Sequence, residues 1–445
     1  MSHAKPHRRP ERHLKRIPAA GTAPPDIRER VALVGLTSAG SARQRDAGHA
    51  LDELAGLAAA AGAVVVLRVL QERPRPDPAT FLGKGKLEAL VASCEEVRAD
   101  TVIVDNELSP AQLRNLEQVL GRKVLDRTQL ILDIFARRAR TREGKLQVEL
   151  AQLQYLMPRL VGSGAALSRL GGGIGTRGPG ETKLETDRRR IRRRVGLLSK
   201  EIDAVGRRRA QLRERRHKSD VPTAALVGYT NAGKTTLFNA LTGGQAVASD
   251  ALFVTLDPLV RRVRLPDRRE LLVSDTVGFI ERLPHSLVAA FRATLEEVAE
   301  ADLLLHVIDA SAPERERHMD AVRRVLDEVG AGRVPAVEVF NKCDRLDAAE
   351  RGRLAAVYSG SLCVSALTGE GRDELIAALE SRLALGTSLV TLEFDGASAS
   401  DREQITYLYR IGRVLRHVAS DGHVTVEAEI PSRLLDRFAA AASHS

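Results

Sequence analysis

The sequence predicts a multidomain α/β protein: an N-terminal parallel α/β domain, an antiparallel coiled-coil hairpin, a second α/β domain and a small C-terminal α+β domain. Three observations carry that expectation. Short β-rich runs alternate with helix-patterned stretches from Val31 to about Arg138, and again from Pro222 to about Leu385. Between these stretches two segments carry heptad stripes, joined by a glycine-rich run. At 445 residues the chain has room for about three domains and for more than one buried core.

Residues 1–30 are rich in His, Arg, Lys and Pro and lack an apolar core, so they read as a disordered basic tail and not as a signal peptide. The N-terminal domain, 31–138, opens with strand VALVGLT and a helix around Arg43 to Ala61. VVVLRVL, a helix from Lys86, TVIVD, a helix opened by Ser109, then RKVLD and another helix follow. Ser109 as N-cap, Pro110 at the first helical position and Gln112 three residues on make a capping box.

The hairpin is expected over 139–219. Leu146, Leu150, Leu153, Met157 and Leu160 recur at spacings of four and three; Ile191, Val195, Leu198, Ile202 and Val205 repeat the pattern, and the seam resumes at Leu212. Between the arms, Gly162 to Gly180 holds eight glycines in nineteen residues and cannot continue either helix. The second α/β domain takes 220–386. The last domain, 387–445, reads as strand LVTLEFD, a helix with a Ser400 to Glu403 capping box, strand HVTVEAEI, a short helix and a disordered AAASHS.

Composition narrows the function. The chain is 43% hydrophobic and 28% charged, ordinary for a soluble protein, and no apolar run is long enough to span a bilayer. Cys94, Cys343 and Cys363 form no CxxC pair, which argues against a disulfide framework or zinc site and for a reducing cytoplasm. The net charge is +10, and Lys183 to Lys218 alone holds 15 Lys and Arg against 5 Asp and Glu. Such a run is either a solvated helix face or a surface for a polyanion. Arg188, Arg189, Arg190, Arg192, Arg193 and Arg194 wrap more than one face of the second arm, and Arg177 lies in the glycine-rich loop. With no Trp and only 3% aromatics, RNA would be held through phosphates and Arg planes, not base stacking.

The second α/β domain carries the chemistry. A strand AALVG leads into Gly228, Tyr229, Thr230, Asn231, Ala232, Gly233, Lys234 and Thr235, with Thr236 opening a helix: GxxxxGK[ST] in strand, loop, helix context. Small residues let successive N–H groups face a phosphate, the helix N-terminus adds its dipole, and Lys234 reaches the β and γ phosphates. Thr235 offers a hydroxyl to Mg²⁺. After a second strand come Asp275, Thr276, Val277 and Gly278, a DxxG whose carboxylate serves the Mg²⁺ shell and whose glycine N–H meets the γ-phosphate. After a third come Asn341, Lys342, Cys343 and Asp344; a carboxylate there accepts from N1–H and the 2-amino group of guanine, a donor pair adenine lacks. Ser365 and Ala366 fall where loop backbone contacts guanine O6. The order says GTP.

Thr255, in FVTLDP, is the candidate switch threonine that closes on Mg²⁺ and γ-phosphate, against the reading of an ordinary strand threonine. Lys234, Thr255 and Gly278 are the residues expected to serve hydrolysis, and Thr235, Thr255 and Asp275 to serve the metal. Phe279 follows DxxG where a polar residue would orient water, so hydrolysis should be slow without help from a partner or an ion. Asn231 either holds a K⁺ beside the phosphates or braces the loop.

The order of these parts closely resembles the HflX family of GTPases over nearly the whole chain: FLGKGKLEAL and TVIVDNELSPAQLRNLE, GGGIGTRGPGETKLETDRRRI, then GYTNAGKTTLFN, TLDP, DTVGFI and NKCD. The resemblance implies a cytoplasmic factor, expected to be a monomer, that binds the large (50S) ribosomal subunit, splits stalled 70S ribosomes under stress, and is stimulated by the ribosome. It also implies that the hairpin loop enters ribosomal RNA, and raises a second nucleotide site near Gly83, Lys84, Gly85 and Lys86. Two other readings stay open: a GTPase assisting large-subunit assembly, and a ribosome-binding protein whose nucleotide turns over negligibly.

Overall fold

The computed structural model describes residues 28–37, 41–160, 179–218, 221–246, 249, 251–265, 270–281, 292–383, 387–420 and 422–438. The 1–27 part of the basic tail, most of the glycine-rich loop with Arg177, and the terminal AAASHS lie outside them.

In the first domain β1 (Arg30–Thr37), β2 (Val64–Glu72), β3 (Thr101–Val104) and β4 (Lys123–Asp126) make an all-parallel sheet in the order β2-β1-β3-β4. Parallel strands need crossovers, so α1 (Ser41–Ala60), α2 (Lys84–Glu96), α3 (Pro110–Leu120) and α4 (Arg127–Arg138) cover both faces. Alternation along β1 shows it: Val31 and Leu33 pack with Leu54, Leu57 and Phe135, while Ala32 and Val34 pack with Leu87, Leu90 and Leu116. The predicted capping box is present, Ser109 Oγ accepting from Gln112 N at 3.2 Å and Gln112 Oε1 from Ser109 N at 3.0 Å.

The heptad stripes form one seam. Leu146, Leu150 and Leu153 of α5 (Arg142–Arg159) pack against Val195, Leu198 and Ile202 of α6 (Pro179–Lys218). The bridges Arg142–Glu201 and Arg194–Glu149 pair the arms in opposite directions, as an antiparallel hairpin requires. Pro179 and Gly180, read as the end of the loop, instead open α6; proline's fixed φ suits a first helical position.

The second sheet runs β10-β9-β8-β5-β7-β6, from β5 (Thr223–Gly228), β6 (Leu259–Arg264), β7 (Glu270–Asp275), β8 (Leu303–Asp309), β9 (Ala336–Asn341) and β10 (Leu362–Cys363). Strand β6 pairs antiparallel with β7 at one edge. Its LVRRVR buries only Val263, and exposed arginines suit an edge. Around the sheet lie α7 (Lys234–Thr242), α8 (Arg292–Ala299), α9 (Arg315–Glu328), α10 (Ala348–Val357) and α11 (Arg372–Arg382).

The last domain is an antiparallel sheet, β11 (Thr387–Asp395), β13 (His423–Pro431) and β12 (Arg413–Ser420), with α12 (Ala399–Ile411) and a closing 3₁₀ turn over Ser432–Phe438. Two expectations are corrected here. Strand β12 was not anticipated, and α12 is capped by Ser398, whose Oγ accepts from Asp401 N at 3.3 Å, so Ser400 lies inside the helix.

The two α/β domains share a core. One apolar cluster runs from Leu54 and Phe135 through Phe253 and Phe279 to Leu304 and Val322. Phe135 meets Phe253 edge-on with ring centroids 4.8 Å apart. No helix of the described residues is long and apolar enough to cross a membrane.

Candidate nucleotide site

The loop between β5 and α7 is shaped by backbone that side chains cannot follow. Gly233 has φ +90, and a Cβ there would strike the Asn341 side chain. Lys234 opens α7 and is buried, its Nζ donating to Gly228 O at 3.1 Å and Tyr229 O at 2.8 Å. Burial depresses its pKa to about 8 despite the attraction of Asp275, so the loop holds an ammonium that gains by meeting an anion. Gly278 lies against it: a Cβ there would come 3.0 Å from Lys234 Nζ.

Three of the predicted residues converge on one point. Asp275, at the end of β7, is fully buried; its Oδ2 accepts from Thr235 Oγ1 at 2.8 Å and from Thr255 Oγ1 at 3.0 Å, and the two hydroxyl oxygens are 2.8 Å apart. Asp275 Oδ1 meets no donor among the described residues. Burial pushes this carboxyl's pKa up. Hard oxygen donors with one carboxylate oxygen left over fit Mg²⁺. Thr255 lies in a loop and not in a strand.

The base end is built by β9 and β10. Lys342 is left-handed, with φ 64, and turns the chain into the 3₁₀ turn Cys343–Arg345, which leaves Asp344 exposed at the cleft. Asn341 is buried and acts as a clamp: Nδ2 donates to Ala232 O at 2.9 Å and Oδ1 accepts from Ala366 N at 2.9 Å. The Ala366 N–H expected to meet guanine O6 is therefore already shared with Asn341. Lys342 Nζ ties Asn231 O at 2.8 Å to Asp309 at 2.6 Å. Ser365 is buried, and its Oγ accepts from Thr368 N at 3.2 Å.

Between these ends lies a cleft of about 360 Å³, lined by Thr230, Asn231, Gly233, Lys234, Thr235, Thr236, Thr255, Gly278, Asn341, Lys342, Asp344 and Ala366 among others. Gly228, Ala232, Asp275 and Ser365 brace it from behind. Phe253, Arg345 and Leu367 also line it, and no motif pointed to them. Tyr229 contributes backbone only. Its ring stacks on His318 at 3.9 Å, its hydroxyl bonds Glu53 of the first domain, and Glu281 N donates to that hydroxyl at 2.8 Å.

Phe279 is fully buried, and its backbone stitches the loops together: Thr230 N donates to Phe279 O at 2.7 Å and Phe279 N to Gly228 O at 3.1 Å. It offers no group to water, as expected, but truncating it would open a core cavity.

Both segments flanking the cleft are held by distant parts of the chain. Asp257, two residues after Thr255, accepts from Arg140 N and Thr141 N at 2.9 Å each and from the Thr141 hydroxyl. Thr141 is the N-cap of α5, accepting from Gly144 N at 3.0 Å. Past DxxG, Glu281 O accepts from Arg127 at 2.9 Å, and Arg127 pairs with Asp105 at 2.9 Å and with Glu53.

On the arm, Arg189, Arg190, Arg192 and Arg193 are exposed and Arg188 is half-buried. Arg189 pairs with Glu185 at 3.6 Å, and Arg194 grips Glu149 with two bonds of 2.7 and 2.8 Å, so Arg194 fastens the hairpin. Gly83 is the N-cap of α2 and its N–H donates to Gln71 Oε1 at 3.0 Å; no phosphate loop is built there.

Three family models match in succession: GTP-binding GTPase N-terminal over residues 48–136, GTP-binding GTPase Middle Region over 138–216, and 50S ribosome-binding GTPase over 223–342. The GTPase HflX of Caldanaerobacter subterraneus subsp. tengcongensis is 46% identical over 411 residues, covering 92% of this chain and 93% of that protein. That of Lacrimispora saccharolytica is 48% identical over 416 residues, 93% of this chain and 96% of its own. The Escherichia coli GTPase HflX is 44% identical over 388 residues, 86% and 89%.

Proposed function

The chain belongs to the HflX family of GTPases, and from that premise we propose that it binds the large ribosomal subunit, splits stalled 70S ribosomes in the cytoplasm, and releases itself by hydrolysing GTP. One observation carries the reading. A single short segment holds Thr255 against Thr235 and Asp275, and two residues later Asp257 against the start of α5. The state of the γ-phosphate is thereby tied to the base of the hairpin's first arm, against which the basic arm packs.

In this reading Asp344 selects guanine, Lys234 and the loop N–H groups hold the β and γ phosphates, and Gly278 N–H meets the γ-phosphate. Thr235, Thr255 and the Asp275 shell would hold Mg²⁺, whose charge would neutralise the phosphate oxygens. Thr255 closes on the triphosphate and lets go after hydrolysis, and Asp257 passes that movement to α5. With Phe279 buried, water is oriented by a group from outside, which makes turnover slow alone and faster on the ribosome. Asn231 has φ 61 and lies at the cleft, a place from which its side chain would reach a K⁺. Arg189, Arg190, Arg192 and Arg193 meet ribosomal RNA phosphates; Arg194, fixed on Glu149, contributes less. The protein acts as a monomer.

The test is sedimentation of 70S ribosomes with the protein and GTP. The ribosomes should separate into subunits, and Asp257→Ala, which loses the three bonds to Arg140 and Thr141, should bind GTP within a few-fold of wild type yet split about tenfold more slowly. Intact 70S particles with wild-type protein would end the splitting reading; equal splitting by both proteins would end the coupling through Asp257.

A further inference from the structure

The base-recognition loop of this chain is bracketed by two cysteines. Cys343 stands between Lys342 and Asp344, and Cys363 closes β10 just before Val364, Ser365 and Ala366. The fold brings them together. Cys363 is paired with Phe340 of β9, Val364 N donates to Phe340 O at 2.8 Å, and Cys343 N donates to Val364 O at 3.1 Å. Both side chains sit in one cluster with Phe340, Leu354 and Tyr358. Cys343 is buried, its Sγ 3.1 Å from Phe340 O, whereas Cys363 is half-exposed on a two-residue edge strand. The Arg351 guanidinium is close enough to feel both sulfurs. Cys94 is buried in the first domain, in an apolar cluster that contains neither of the others.

We propose that Cys343 and Cys363 form a reversible, peroxide-sensitive disulfide that weakens guanine-nucleotide binding. The inference rests on the reading that Asp344 and the Ser365–Ala366 loop recognise the base. The chemistry balances with hydrogen peroxide as the named oxidant. The exposed Cys363 sulfur attacks one peroxide oxygen, the O–O bond breaks, and Cys363 sulfenic acid and one water result. The Cys343 sulfur then attacks the Cys363 sulfur; the S–S bond forms, the S–O bond breaks, and the departing hydroxide takes the Cys343 proton as a second water. Two thiols lose two electrons and two protons, and peroxide is reduced to water.

Position sets the order of the two steps. Cys363 and the nearby guanidinium face solvent, the setting in which thiols meet oxidants. Burial, reinforced by the neighbouring thiol, pushes Cys343 up to about 12, so it keeps its proton and acts as the resolving partner. Bridging takes the Cys343 sulfur from the Phe340 carbonyl toward β10. Asp344 is the next residue, and Ala366 N is held by Asn341 at 2.9 Å, so the geometry facing the base is drawn out of register at both points.

The experiment uses the full-length protein and a fluorescent GDP analogue. The reduced protein is titrated first; failure to bind there would overturn the base-site reading itself, and with it this proposal. Peroxide treatment should then remove about 2 Da from the intact mass, link the Cys343 and Cys363 peptides, and weaken the analogue by about tenfold or more. Dithiothreitol should restore both. Cys363→Ser should bind like the reduced wild type and ignore peroxide. A mass unchanged by peroxide, a bridge that leaves affinity intact, or a Cys363→Ser variant as sensitive as wild type would each overturn the switch.

Discussion

At the carboxyl ends of β3 and β4 the first sheet presents Asp105 and Asp126; at the carboxyl ends of β5 and β7 the second presents the phosphate loop and Asp275. All are buried. In the first sheet the charges pair with one another: Arg127 with Asp105 and Glu53, and Arg159 with Asp126 at 3.2 Å. Asp126 Oδ1 also accepts from Gln129 N at 2.9 Å as the N-cap of α4. In the second sheet Lys234 meets only carbonyl oxygens as hydrogen-bond partners, while Asp275 Oδ1 and Thr230 Oγ1 meet no donor or acceptor among the described residues. Buried polar groups that satisfy one another hold a structure together. Single unpartnered atoms remain in both regions, Arg127 Nε and Arg159 Nε among them. Asp105 and Asp126, however, each meet a guanidinium while Asp275 has no salt bridge among the described residues, and a buried carboxylate left so marks where a cation belongs.

The contrast breaks most sharply at Arg127. Replacing it by Met strands two carboxylates and should cost about 3–5 kcal/mol of stability; a denaturant titration showing a loss under about 1 kcal/mol would mean the network does not hold the domain. Lys234→Met should do the opposite. The empty protein should keep its melting temperature, because the buried ammonium makes no salt bridge among the described residues and Asp275 keeps its bonds from Thr235 and Thr255, while GTP affinity should fall about 100-fold. A variant that unfolds early but binds normally would invert the comparison. The mildest test sharpens the base end: Asp344→Asn should weaken GTP by about tenfold and improve binding of xanthosine triphosphate, whose 2-oxo group suits an amide. Unchanged GTP affinity in a direct titration would remove Asp344 from base recognition.

Much of this was legible because local chemistry enforced it. The Ser109 box, the heptad seam and the phosphate loop each need particular residues at fixed spacing, and the structure forms all three. Strand β12 left no such trace: Leu415 and Val418 are 46% and 41% exposed, so its sequence has no apolar face to alternate. In Ala397 to Asp401 two serines compete as caps, each with an acidic residue three positions on; the glutamate at Glu403 favoured Ser400, while backbone geometry chose Ser398. Asp257 was invisible for another reason. Its partners lie 116 and 117 residues away, and one carboxylate carries no sequence mark of the helix it will meet.

That contact has a mechanical consequence. Helix α5 has 18 residues and so rises about 27 Å from its first turn. That rod is pinned at both ends: Asp257 grips its first turn, and Arg159 at its last residue pairs with Asp126 at 3.2 Å and donates to Leu108 O at 2.9 Å. Val148, Ala151 and Tyr155 seat it in the shared core between those points, so a pull at Asp257 is felt along the whole seat of the hairpin on the first domain.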